Sequence, residues 1–361
     1  MRKYVTLGDV CKKGSSNIAQ KDIENSNGTY AIYGASGYIK DVNFYHQDKP
    51  YIAVVKDGAG IGRTMLLPEK TSVIGTLQYL IPNDSISVKY LYYAVTYMNL
   101  SKYFTGATIP HIYFKDYQKE LLPLPPMEKQ QEIAGNLEKI DTIIGLCNSI
   151  MERMDVLVKS RFVEMFGDPV SNPFEWEKVP LSELADIRIG PFGSLLHKDD
   201  YIDNGHPLVN PSHIKDGKIV TDCKLTISDE KFREMAAYHL KIGDVVMGRR
   251  GEMGRCAVVN EDGLLCGTGS LFIRSKGEIT ADYIQKIISF PSFKKIIEDM
   301  AVGQTMPNLN VPIVSNFKII KPPIGVQHKY YSFVHQIDKS KLVCSHIVLY
   351  IEILLRKERI L

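Results

Sequence analysis

Several absences narrow what this 361-residue chain does. No apolar run approaches the roughly 18 residues of a membrane span, so no transmembrane helix is expected. The opening stretch, MRKYVTLGDV, has no apolar signal-peptide core. Six cysteines, at 11, 147, 223, 256, 266 and 344, make no CxxC pair and no regular framework. We therefore expect reduced thiols in a cytoplasmic protein. Charge of one sign is also scarce, with a net +3. Lys and Arg number 14 against 10 Asp and Glu in residues 1–126, and 5 against 7 in 127–166. They number 19 against 21 in 167–323, and 6 against 3 in 324–361. Any nucleic-acid site must come from local clustering, because no global basic field exists.

Catalytic signatures are as thin. There is no Walker loop, so no ATP site of the usual kind. GAGIG at 58–62 lacks the G-x-G-x-x-G spacing and sits in an expected hairpin, not before a helix. SNPF at 171–174 has part of the Asn-Pro-Pro-aromatic pattern of amino-methyltransferases, but one proline only and no Gly-rich cofactor loop upstream. Asp-x-Lys occurs at Asp216, Asp222 and Asp229 without a partner carboxylate placed on a preceding strand. Cys256, Cys266 and the scattered histidines do not make metal spacing, so no metal site is expected.

What is present is a long helix. From Pro125 to Phe166, apolar residues recur at Ile133, Leu137, Ile140, Ile144, Cys147, Met151, Met154 and Val158. The steps alternate between 4 and 3, which is a coiled-coil seam. Pro126 suits a first helical turn, and Gly167-Asp168-Pro169 reads as a stop. At 1.5 Å per residue the rod runs roughly 60 Å.

The helix belongs to a unit written twice. TGATIPHI (105–112) aligns with VGQTMPNL (302–309), pairing Gly106, Thr108 and Pro110 with Gly303, Thr305 and Pro307 at an offset of 197. The same offset joins Pro125-Pro126 to Pro322-Pro323, Gln130 to Gln327, and Ile140-Asp141 to Ile337-Asp338. It carries the seam onto Tyr330, Val334, Ile337, Lys341, Cys344, Val348, Ile351 and Leu355. Upstream, Gly62-Arg63 pairs with Gly254-Arg255 and Gly75-Thr76 with Gly267-Thr268, both at 192, Tyr90 with Tyr283 at 193, and Leu7 with Leu181 at 174. The growing offset places insertions in loops.

Within each unit, YIAVVKDG (51–58) and HLKIGDVVMGRRG (239–251) read as strands feeding Gly-rich turns, with GRTMLLPE and GRCAVVNEDG as returning strands. VKYLYYAVTYMNLSKYF and ADYIQKIISFPSFKKIIEDM read as helices, the second interrupted by Pro291. The fold class is α+β. Two similar globular domains, 1–124 and 167–321, are each followed by a long helix, 125–166 and 322–361, and the two helices are expected to pack antiparallel. That arrangement would bring Leu361 near the start of the first domain.

These residues carry a family resemblance. A Gly-x-Thr-x-Pro loop, then LPLPPMEKQQEI (122–133) and a long helix ending LVKSRFVEMFGDP, all repeated, resembles the specificity subunit of type I restriction-modification systems. Trp176 and VPLSELADIRIG (179–190) add to it. The second copy departs from the pattern, with His328 where Gln131 stands. The resemblance implies two target-recognition domains reading a bipartite site on double-stranded DNA, and helices that dock two methyltransferase subunits. Restriction or translocase subunits would join them. It implies no cofactor on this chain, with S-adenosylmethionine and ATP on the partners, and no catalysis by the chain itself. A protein-interaction scaffold without DNA specificity is the alternative.

Base readout calls for Arg on guanine and Asn or Gln on adenine. Candidates in the Gly-rich turns are Ser36, Lys56, Arg63, Gln78, Thr108 and His111 in the first copy, and Arg249, Arg250, Arg255, Thr305 and Asn308 in the second. Arg249-Arg250 beside Gly251 is the densest cluster, since glycine lets the backbone approach phosphate. For Thr108 and Thr305, which stand at the same place in both copies, a turn-stabilising hydroxyl is favoured over base contact, whereas a solvated turn pair weighs equally with DNA contact for Arg249-Arg250. The loops 12–50 and 185–245 are further places for specificity.

Overall fold

A computed structural model describes residues 4–106, 110–192, 195–301 and 308–357. The chain divides into two compact units, residues 1–149 with 344–361, and residues 150–343. The boundary falls inside both long helices.

The first unit is built on an antiparallel sheet of β1 (Cys11–Ser15), β2 (Tyr51–Val55), β3 (Thr64–Leu67) and β4 (Leu77–Pro82), in the order β1-β4-β2-β3. Every residue of β2 is buried. Successive side chains of a strand point to opposite faces, so its apolar run feeds two cores. Ile52 and Val54 join Leu7, Leu80 and helix α1 (Val88–Tyr97) on one face. Tyr51, Ala53 and Val55 join Ile32, Val42 and Val73 on the other. That second face is covered by a hairpin lobe, Tyr30–Gly34 paired with Gly37–Val42. The lobe is tied back by parallel pairing of Ile32 and Tyr33 with Ser72 and Val73.

The second unit repeats this plan. Its sheet is β5 (Ala185–Ile189), β6 (Asp244–Gly248), β7 (Cys256–Val258) and β8 (Ser270–Ser275), in the order β5-β8-β6-β7. Val245 and Met247 face the core holding helix α3 (Ala281–Ile288) and helix α4 (Pro291–Met300). Val246 faces the other core. A lobe strand, His206–Val209, pairs in parallel with Leu265–Cys266. Pro291 starts α4 at its first turn, where the missing N–H is no loss. In the first unit the helical stretch ends at Tyr97, because Asn99 turns left-handed, φ 50°, before a short 3-10 turn at Leu100–Tyr103.

The structure shifts one alignment. Leu77 N–H bonds to Ile74 O, as Ser270 N–H bonds to Gly267 O. Leu77 pairs with Val55, and Ser270 with Gly248. Ile74, not Gly75, is therefore the counterpart of Gly267; the shared Gly-Thr dipeptide puts the sequence alignment one residue out of register.

In each unit a short strand pair precedes the long helix: Tyr4–Thr6 with Leu121–Pro123, and Lys178–Pro180 with Lys318–Ile320. Helix α2 (Met127–Phe166) and helix α5 (Ile324–Lys357) follow. Gly167, at φ 75°, closes α2, its N–H reaching Val163 O. In the first unit Ile133, Leu137, Ile140 and Leu355 pack on the core that holds Val5 and Leu7. In the second, Tyr330 lies against Phe162 and Phe166 at ring-centroid distances of 5.5 and 5.4 Å, and its hydroxyl donates to Val158 O. Lys341 Nζ donates to Asp155 Oδ1 at 2.6 Å. In each unit the helices thus meet antiparallel. All sixteen seam positions, including Ile144, Met151, Met154, Val334, Ile337, Cys344, Val348 and Ile351, are buried or half-buried. Leu361 lies outside the described residues.

Candidate nucleic-acid interface

The turns after β2 and β6 sit at the same end of their sheets and are built alike. Lys56 N–H bonds to Thr76 O and its carbonyl accepts from Ile112. Arg249 N–H bonds to Gly269 O and its carbonyl accepts from Leu309. Lys56 and Arg249 are therefore the same position in two copies, as are His111 and Asn308. Gly62 and Gly254 hold φ +80° and +75°. A Cβ on Gly62 would come within 2.6 Å of Ser101 N, and one on Gly254 within 3.0 Å of Ile288 O. Glycine is required at both by conformation and by room.

The loop that returns to this turn is pinned differently in the two units. In the first, Thr105 and His111 exchange backbone hydrogen bonds at 2.8 and 2.9 Å, and Gly58 N–H reaches Pro110 O. The His111 ring pairs with the Asp57 carboxylate and lies 4.1 Å from the ring of Tyr113. Lys56 Nζ is 3.5 Å from Asp57. In the second unit Arg249 Nε donates to Leu309 O at 2.8 Å. Burial, then the charge of Arg250, holds the Arg249 guanidinium below its ordinary pKa. Arg249 is half-buried and Arg250 exposed. Thr108 and Thr305 lie outside the described residues.

Not every sequence candidate reaches this surface. Ser36 is exposed at the tip of the hairpin lobe. Gln78 is 3% exposed, inside β4 opposite Val54, and its Nε2 has no partner among the described residues. A side chain enclosed in a sheet has no edge to offer a base, so Gln78 is corrected from a base reader to a core residue. Arg63 Nη1 donates to Ala35 O at 3.0 Å, and Arg255 Nη1 to Pro211 O at 3.1 Å. Arg255 also bonds Glu252, which Lys294 holds from the other side. Those hydrogen bonds draw the Glu252 carboxyl below its ordinary range. Asn308 is half-buried, and its Oδ1 is unpaired among the described residues.

Sequence reasoning missed Asp57, whose carboxylate fixes His111; its signal was the Lys-Asp-Gly turn itself. It also assigned no role to Gln130 and Gln327, both buried. Gln130 Oε1 accepts from Ser87 N–H, and its Nε2 donates to Ser85 O and Pro125 O. Gln327 does the same with Thr280 N–H, Glu278 O and Pro322 O. The paired glutamines fasten each long helix to the start of its unit's domain helix.

Asn172 of SNPF spends its amide on the backbone of Trp176, donating to its carbonyl and accepting from its N–H. Burial pushes the Cys256 thiol up to about 12, and Cys266 higher still. Among the described residues no group of three His, Cys, Asp or Glu could hold a metal, and no helix is long and apolar enough to cross a membrane.

The model of the type I restriction modification DNA specificity domain matches residues 2–153 and again 173–345. The chain belongs to this family. Type I specificity subunits are its relatives. The MjaVIII specificity subunit of Methanocaldococcus jannaschii is 24% identical over 309 residues, 80% of this chain and 72% of that one. The EcoBI specificity subunit of Escherichia coli is 23% identical over 295 residues, 71% of this chain. This chain spans only 60% of the EcoBI subunit and 63% of the MjaIX specificity subunit of M. jannaschii. The solved S subunit from M. genitalium shares the fold at a TM-score of 0.63 and 15% identity, over 98% of this chain and 95% of that one. A chain from a structure of type I R-M complex assembly and conformational transition gives 0.60 at 16% identity.

Proposed function

We propose that this specificity subunit reads a bipartite double-stranded DNA target, one half-site per unit, and docks methyltransferase subunits through its long helices. What supports the reading is one sheet-and-turn scaffold built twice in a chain of this family, with different side chains at equivalent turn positions. Lys56, Asp57 and His111 stand in one unit where Arg249, Arg250 and Asn308 stand in the other. Equal scaffolds with unequal donors suit two unequal half-sites. Of the candidates, Ser36, Lys56, His111, Arg250 and Asn308 are kept as DNA contacts, with Arg249 ordering the loop beside them; Thr108 and Thr305, outside the described residues, stay candidates.

Docking is supported by apolar side chains left in water on both helices. Leu146 and Tyr350 are 57% and 63% exposed in the first unit, and Leu157 and Val343 are 48% and 58% exposed in the second. Exposed apolar positions spaced along a helix suit a protein partner. Two methyltransferase subunits would bind there, carrying S-adenosylmethionine, and ATP-using restriction or translocase subunits would join for cleavage. The chain itself would recognise and assemble, without catalysis.

The test is a base-resolution map of methylated DNA in cells with and without this gene. A split motif that disappears on deletion is expected. A map unchanged by the deletion would remove the reading.

A further inference from the structure

Ala35 and Pro211 occupy one place in the two units. Each lies two residues beyond the last parallel-paired residue of the lobe, Tyr33 or Val209. Arg63 and Arg255 also share a place, between the positive-φ glycine of the turn and the edge strand. Val55 N–H bonds to Arg63 O and Gly248 N–H to Arg255 O, both at 2.9 Å. In both units the guanidinium leaves the sheet's turn and donates to the lobe carbonyl, at 3.0 and 3.1 Å.

The contact recurs where the sequence does not. The acceptor sits in YGASG in one unit and in NPSHI in the other. Room is made for it in both. A Cβ on Gly60 would meet Arg63 Nη2 at 3.2 Å, and one on Gly248 or Gly269 would meet the Pro211 ring at 3.2 or 3.6 Å. Each lobe's apolar side chains pack on the sheet, while its backbone joins the β4 or β8 side by parallel pairing of only two residues per strand. A rigid five-donor fork is suited to bridge such a junction. In Arg255 the fork is also shared with Glu252, which leaves little of it for a bidentate bond to guanine.

We propose that Arg63 and Arg255 are positioning residues, each latching the lobe of its unit to the turn of the central sheet. The lobe tips, Ser36 among them, are thereby held in the orientation that target reading uses. That consequence rests on the DNA reading above; the latch does not.

Hydrogen exchange followed by mass spectrometry on the full chain tests it. Arg63→Ala should raise exchange about fivefold in residues 30–42 and leave residues 51–55 protected. Arg255→Ala should do the same in 206–209 and leave 244–248 protected. Arg63→Lys should restore part of the protection, because an ammonium still has a donor for Ala35 O. Unchanged exchange in the lobe, or a loss spread over the whole unit, would overturn the latch. A second readout is DNA affinity against salt. The latch predicts weaker selection of one half-site with an unchanged salt slope; a slope reduced by about one, with exchange unchanged, would make these arginines phosphate contacts instead. If the wild-type chain and its complex select no DNA at all, the DNA reading fails and the exchange result still decides the latch.

Discussion

The carboxamide of Gln130 accepts the backbone N–H of Ser87 at 2.8 Å, across 43 residues of sequence. Ser87 is the residue before α1, where a helix leaves its first N–H groups without partners. Gln130 supplies an acceptor there and spends its own two N–H groups on Ser85 O and Pro125 O. A glutamine in the first turn of the rod thus welds rod to domain, and Gln327 repeats the weld at Thr280.

Gln130→Ala should cost about 1–3 kcal/mol, because it leaves one half-buried donor and two carbonyls to find new partners. Gln327→Ala should cost a similar amount. Denaturant unfolding of the purified chain measures both. A loss under about 0.5 kcal/mol would show that water replaces the carboxamide freely.

Arg249 and Arg250 should separate in their effects. Arg250 is exposed, so Arg250→Ala should weaken DNA binding by the assembled complex, lower the salt slope by about one, and leave thermal stability alone. Arg249 bonds Leu309 O, so Arg249→Ala should also lower stability by about 1 kcal/mol. Equal effects of the two on melting temperature would contradict this division.

Gln78→Leu should leave half-site selection unchanged and be neutral or stabilising by up to about 1 kcal/mol. The buried amide N–H has no partner among the described residues, and an apolar side chain of similar size has none to lose. A changed methylation motif would return Gln78 to the list of readers.

Asp168 should make the end of α2 sensitive to acid. Burial raises its carboxyl pKa, but the N–H groups of Ser171 and Val170, the Ser292 hydroxyl and Lys178 outweigh it and hold the group below its ordinary 3.8. A carboxylate depressed in the folded state stabilises it above the unfolded pKa, and that contribution is lost as pH falls through the folded one. Stability should therefore drop more steeply below about pH 4 in the wild type than in Asp168→Asn. Parallel acid unfolding curves for the two proteins would refute this role.

The repeat, the heptad seam, the Gly167 stop and the Gly-rich hairpins are all local or periodic, so composition and spacing along the chain expose them. The direction of a side chain is not. Gln78 and Arg63 read as plausible donors because residue type and nearby glycines are visible in sequence. Which face of β4 carries Gln78, and which carbonyl lies across from Arg63, depend on strand order and on a lobe folded back by parallel pairing.

The sequence by itself determined that one α+β unit is written twice, each copy ending in a seam-bearing helix, because periodicity and repetition need no partner to be seen. Tertiary structure decided which polar residues face water. It enclosed Gln78, Gln130 and Gln327, turned Arg63 and Arg255 onto their own chain, and left Arg250 outward. The reason is physical: the partners that fix most of these side chains are brought together only by folding, since Ser87, Thr280, Ala35 and Pro211 lie 43, 47, 28 and 44 residues from Gln130, Gln327, Arg63 and Arg255.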